Sequence, residues 1–238
     1  MLLVILHFFI FFPLIFALFL LDKIQSKGSV HLYGIQGYFG LPGTGKTMAM
    51  CRELKKYRKL YGDKIYICTN FNYCDEDFSF QRWQQLTDEY DKPLVVAWDE
   101  IQNEFNSRNF KDFPIGLVTQ LTQVRKGHGI KILYTSQRFG FVDKNFRSLS
   151  AYAADCNTKL GRFTIVKMYD IIDYEELYDT VDVDKKRKIR AKFVTSFIQT
   201  KALRNSYDTY AMLETAKNKA KTGAYMSRVE ISAINSKD

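Results

Sequence analysis

The sequence lacks the pattern of a zinc centre. Its four cysteines, Cys51, Cys68, Cys74 and Cys156, form no C-x-x-C pair, and no histidine stands near them at ligand spacing. Cys68 and Cys74 are separated by five residues, which fits no zinc motif. Free thiols in a reducing compartment are the expectation. There is no internal repeat and no low-complexity segment. Negative charge is short: 26 Asp and Glu stand against 35 Lys and Arg, for a formal charge of +9. That balance favours polyanionic partners, either nucleic acid or an anionic membrane surface. Apolar residues are plentiful, at 46% with 15% aromatic, which excludes a disordered chain. A length of 238 residues holds one α/β domain of ordinary size plus appendages.

One stretch carries most of the information. Gly40, Leu41, Pro42, Gly43, Thr44, Gly45, Lys46 and Thr47 fit G-x-x-x-x-G-K-[ST] at every fixed position. A match arises by chance in roughly one chain in a hundred of this length. Glycines at those places let consecutive amide N–H groups turn inward around a phosphate. Lys46 supplies a point charge to the β- and γ-phosphates, and the Thr47 hydroxyl is suited to ligating Mg²⁺. The preceding residues, Val30 to Gln36, read as a strand, and Met48 to Leu60 as a helix whose N-terminus faces the phosphates. ATP with Mg²⁺ is the cofactor this predicts.

Pro93 to Glu100 is the second such stretch. A continuous apolar run ending in two acids suits a central parallel strand covered on both faces. Asp99 is expected to hold Mg²⁺, and Glu100 to orient or deprotonate the attacking water. Ile130 to Gln137 reads as a further strand, with Gln137 at its tip nominated as the γ-phosphate sensor and Ser136 as the second choice. Arg125, Arg138 and Arg147 lie near the expected nucleotide edge, where an arginine could act in trans on a neighbouring copy. His128, between two glycines, reads as a loop residue. Lys64 to Thr69 predicts a strand, Ser79 to Tyr90 an amphipathic helix carrying Trp83 and Leu86, and Ser150 to Asn157 with Arg162 to Tyr169 two strands joined by a turn.

Residues 1–21 contain no Asp, Glu, Lys or Arg. At ~1.5 Å per residue they reach ~30 Å, the thickness of a bilayer's hydrocarbon core. Neither a basic leading region nor a small-residue cleavage site accompanies them, so an uncleaved transmembrane anchor is expected. Lys23 and Lys27 follow the span, which predicts a cytoplasmic position for what comes after. The expected plan is an anchor over 1–21, a linker over 22–29, an ATPase core over 30–170 and a basic extension over 171–238. In that extension, Lys185 to Lys192 is compatible with nucleic acid or anionic lipid.

These motifs in this order resemble the zonular occludens toxin (Zot)-like ATPases of filamentous phages. The likeness lies in Gly40–Thr47, Asp99-Glu-Ile-Gln102, Arg125-Lys-Gly-His-Gly129 leading into Ile130–Gln137, Asp143–Arg147 and Tyr207-Asp-Thr209. It implies a P-loop NTPase with a RecA/ASCE-like, mostly parallel sheet flanked by helices. It also implies a host inner-membrane ATPase, acting as a ring such as a hexamer, that extrudes single-stranded phage DNA alongside other phage assembly proteins. In that family the span follows the ATPase domain, whereas here it precedes it. A conjugation-type DNA translocase and a nucleotide-regulated membrane scaffold share parts of the pattern.

Overall fold

Leu94–Trp98 sets the layering of the molecule. All five residues of this strand are buried, and successive side chains leave on opposite faces. Val95 and Ala97 enter a cluster with Met50, Leu54, Tyr57, Ile67 and Leu133. Val96 and Trp98 enter another with Phe80, Phe105, Ile132 and Phe146. A strand wetted on neither side belongs inside a sheet covered on both faces. Each fully buried Met50 or Leu54 side chain is worth about 1.5–3 kcal/mol.

The computed structural model describes residues 31–105, 115–123 and 128–208. In chain order the elements are β1 (Gly34–Phe39), α1 (Lys46–Tyr61), β2 (Tyr66–Thr69), β3 (Phe78–Ser79), β4 (Leu94–Trp98), α2 (Ile115–Thr122) and β5 (Ile130–Ser136). After these come α3 (Lys144–Ser148), β6 (Tyr152–Lys159), β7 (Phe163–Asp170), α4 (Ile171–Asp179), α5 (Val183–Lys188), β8 (Phe193–Ile198) and α6 (Lys201–Arg204). The eight strands form one sheet in the order β3-β2-β4-β5-β1-β6-β7-β8. Neighbours from β3 through to β6 are parallel; β7 pairs antiparallel to β6, and β8 antiparallel to β7. The fold is therefore mixed α/β. β8 pairs with β7 from Phe163↔Ile198 to Met168↔Phe193, so the sheet continues well past residue 170.

Most expected elements are present with shifted ends. β1 begins at Gly34 and runs into Phe39, because Tyr38 and Phe39 carry the pairing to both β5 and β6. The helix expected over Ser79–Tyr90 is absent. Those residues close the two-residue strand β3 and then make a 3-10 turn at Trp83–Thr87. Arg82 and Asp88 are both extended and cut the turn at each end. The Gln85 side chain also takes the Gln81 and Arg82 N–H groups, at 2.7 and 3.0 Å, which caps the turn and fixes its start at Trp83. The expected anchor over 1–21 and linker over 22–29 lie outside the described residues. Among the described residues no helix is long and apolar enough to cross a membrane.

Lys131 is a charged residue sunk into β5, 6% exposed. Burial holds its ammonium down at about 8, against the opposing pull of Glu53. A lysine whose folded value lies below its unfolded value costs stability in full below the folded value. The cost fades as pH rises toward the free-lysine value, roughly 10.4. Lys131→Met is therefore expected to raise the unfolding midpoint at pH 7. Thermal melts at pH 6 to 10 check this, with the gain shrinking above about pH 8.

Candidate functional site

β1 ends at Phe39 and the chain turns at once into the glycine-rich loop, which leads straight into α1. Gly45 precedes the first helical residue with φ of 88°, a left-handed conformation that side chains disfavour. A Cβ there would also meet the Thr158 and Thr164 hydroxyls at 2.8 and 2.9 Å and the Gln199 amide at 3.1 Å. The first-turn N–H groups of α1 face the loop, where an anion is favoured. Within the loop the Lys46 Nζ donates to the Leu41 carbonyl at 3.3 Å, and the Thr44 hydroxyl donates to the same oxygen at 2.8 Å.

The acids arrive from the neighbouring strands. Register sets Trp98 beside Tyr134, so Asp99 and Thr135, one residue on, meet at the carboxyl edge of the sheet. In open α/β sheets ligands sit at that edge. Asp99 Oδ1 accepts from the Thr135 hydroxyl at 2.5 Å and from the Thr47 hydroxyl at 3.0 Å. Asn70, just past β2, clasps the Asp99 backbone from both sides: its carbonyl takes the N–H at 2.7 Å and its amide donates to the C=O at 3.0 Å. Burial raises the Asp99 carboxyl above the usual range, Glu100 adds to this, and the hydroxyls of Thr135 and Thr47 oppose it. A hydroxyl and a half-buried carboxylate 3.0 Å apart make an oxygen donor pair, and oxygen is what Mg²⁺ selects. The residues fit that ion.

Glu100 follows with φ of 51°, a left-handed conformation costing about 1–2 kcal/mol for a residue with a side chain. Its N–H is held by the Thr135 hydroxyl at 2.9 Å. Its carboxylate lies 3.8 Å from Lys46 Nζ and accepts from the Gln102 amide. Lys46, Thr47, Asp99 and Glu100 thus converge on one spot.

Gln137 is half-buried just beyond the Phe39↔Ser136 pairing, between the loop strand and the acid strand. Ser136 donates instead to the Arg138 carbonyl at 3.0 Å. Arg147 is engaged within its own chain: its Nε donates to the Val142 carbonyl at 3.1 Å, its guanidinium stacks 4.4 Å over Phe139, and it pairs with Glu175 at 3.6 Å. That removes it as a group free to act in trans. Arg138 is exposed, 5.7 Å over the Phe141 ring. Arg125 lies outside the described residues, as does Thr209.

Asn70, Gln102 and Thr135 had no role assigned from the sequence, and neither had a brace behind the loop. The Thr158 hydroxyl donates to the Thr44 carbonyl at 2.9 Å. The Gln199 amide reaches Thr158 and Thr164 at 3.1 and 2.9 Å, and Arg204 holds the Gln199 carbonyl at 2.8 Å. Of these, only Thr135 carried a signal, as a polar residue inside a buried strand end. Thr135→Val is expected to cost about 1–3 kcal/mol, since it takes a donor from the Asp99 carboxylate and the acceptor from the Glu100 N–H. Denaturant unfolding measures that loss, and a raised Mg²⁺ requirement for nucleotide binding should accompany it.

A mostly parallel α/β sheet with a glycine-rich loop and paired acids at its carboxyl edge is suited to holding a phosphate chain. The chain is similar to the N-terminal domain of zonular occludens toxin from Neisseria meningitidis, at 16% identity and a TM-score of 0.48, over 75% of this chain and 100% of that one. It is also similar to the genome packaging NTPase B204 of Sulfolobus turreted icosahedral virus 2 in complex with ATP-gammaS. There the identity is 10% and the TM-score 0.44, over 60% of this chain and 95% of that one. No protein-family model matches the chain, and no curated protein matches its sequence.

Proposed function

We propose that this chain is an ATPase anchored in the host inner membrane through residues 1–21, with its catalytic domain in the cytoplasm. In this reading it couples ATP hydrolysis to the assembly and extrusion of single-stranded phage DNA. The observation that carries the hydrolysis is the meeting of Lys46, Thr47, Asp99 and Glu100 at one sheet edge, with Glu100 3.8 Å from Lys46 and Thr47 3.0 Å from Asp99. A loop that only sensed nucleotide would have no use for a second carboxylate beside its lysine.

The loop amides of residues 40–47 and the Lys46 ammonium hold the β- and γ-phosphates. Thr47 and Asp99 would hold Mg²⁺, which when bound neutralises charge on the phosphate oxygens. Glu100 accepts a proton from the attacking water. Gln137, at the tip of β5, meets the γ-phosphate. No covalent intermediate is needed; positioning and fixed charge supply the rate. Arg125 or Arg138 of a neighbouring copy completes the site, so a homo-oligomeric ring is the working form. The DNA cargo and the phage setting are supported by the motif resemblance to Zot-like ATPases and by the formal charge of +9.

The test is Mg²⁺-dependent phosphate release by the full chain in lipid, with and without circular single-stranded DNA. Turnover that rises with DNA is expected. Tight ATP binding with no turnover in that assembled form would overturn the motor and favour a nucleotide-regulated scaffold.

A further inference from the structure

Gln102 sits in the 3-10 turn Ile101–Asn103 that follows the two acids and is 8% exposed. Its Nε2 donates to Glu100 Oε2. Its Oε1 is buried and, among the described residues, has no hydrogen-bond partner. That combination is unusual. A buried carbonyl left unpaired is a cost, and a native protein that keeps one calls for an explanation in function. Methionine would fill the same space without the cost. The only gain the glutamine brings here is the N–H it gives to Glu100.

The direction of that bond is forced. An ionised carboxylate only accepts, so the glutamine must turn its amide toward Glu100 and its carbonyl into the interior. The turn that carries it is rigid. Ile101 is fully buried, the Phe105 N–H returns to the Ile101 carbonyl at 2.9 Å, and the Phe105 carbonyl receives the Asp143 N–H at 3.2 Å. Glu100 is thus held at two carboxylate contacts, Lys46 and Gln102. A γ-phosphate competes for Lys46 and leaves Gln102 as the remaining hold.

We infer that Gln102 is the positioning residue that orients the Glu100 carboxylate toward the attacking water once nucleotide has claimed Lys46. The inference rests on the hydrolysis reading above. It assigns Gln102 a role in kcat and none in nucleotide affinity.

The experiment is a double-mutant cycle in the full chain, using Gln102→Met, Glu100→Gln and the pair, with ATP turnover and ATP affinity measured for each. Gln102→Met is expected to lower kcat about 10–100-fold, the usual loss when the partner of a reacting group is removed. ATP affinity should stay within about twofold, and Gln102→Met should cost almost nothing further in the Glu100→Gln background. A purely packing role predicts the same fold loss in both backgrounds, and that result overturns the inference, as does an unchanged kcat. Gln102→Leu also removes the donor without adding charge; it should lose kcat likewise and replaces the methionine variant if that one unfolds. A wild-type chain without turnover would sink the hydrolysis reading itself, whereas normal turnover in both Gln102 variants sinks only this assignment.

Discussion

Glu100→Gln is expected to bind ATP and keep only a small fraction of its turnover. The change keeps shape and removes the group that takes the proton, a role worth about 10²–10⁴ in rate. It also removes the negative charge 3.8 Å from Lys46. That carboxylate competes with phosphate for the lysine, so its loss should tighten ATP binding several-fold. Single-turnover phosphate release and equilibrium titration with ATP measure the two effects. Retained turnover would show that the proton goes elsewhere and would break the assignment of Glu100. Weakened binding would mean that the acid supports the loop instead of competing with its ligand.

The second large effect is expected at Gly45. Alanine there meets two penalties. The left-handed φ of 88° costs about 1–2 kcal/mol for any residue with a Cβ. The new methyl also lands within 3.1 Å of Thr158, Thr164 and Gln199. Thr164 is fully buried and Gln199 is 3% exposed, so neither can retreat without breaking the hydrogen bonds between them. Forcing a methyl into such packing costs about 1–3 kcal/mol more. The loop moves instead, and ATP affinity should fall by about two orders of magnitude, roughly 2.7 kcal/mol. Gly43→Ala is the control: its φ is 79°, but a Cβ there meets open space. Its loss should be limited to the backbone strain. Equal losses at the two positions would mean that the brace behind the loop contributes nothing to holding phosphate.

Which features could be read from the sequence follows from where their partners lie. Gly40–Thr47 and Asp99-Glu100 were legible because each is a contiguous motif whose chemistry does not depend on what folds against it. The buried run Leu94–Trp98 was legible because five apolar residues ending in acids have few other uses. Thr135 and Asn70 act through register: each meets Asp99 only because β2, β4 and β5 lie side by side, and the one local sign of it is a polar Thr135 inside a buried strand end. Trp83 and Leu86 suggested one face of a helix by their spacing of three. What decided that segment was Gln85 capping its own neighbours, a side-chain choice that spacing does not record. The brace is harder still. Thr158 and Thr44 are 114 positions apart, and Gln199 reaches the loop from the far end of the described chain.

That last separation has a consequence for how the protein is made. The phosphate-binding loop leaves the ribosome early, while the strand that carries its brace leaves late. Until β8 has emerged and docked on β7, the nascent chain holds a loop whose Thr158 and Thr164 hydroxyls lack their Gln199 clasp. Full competence toward ATP therefore waits until residue 199 has emerged. A chain stalled before residue 199 is expected to bind ATP more weakly than one that carries it.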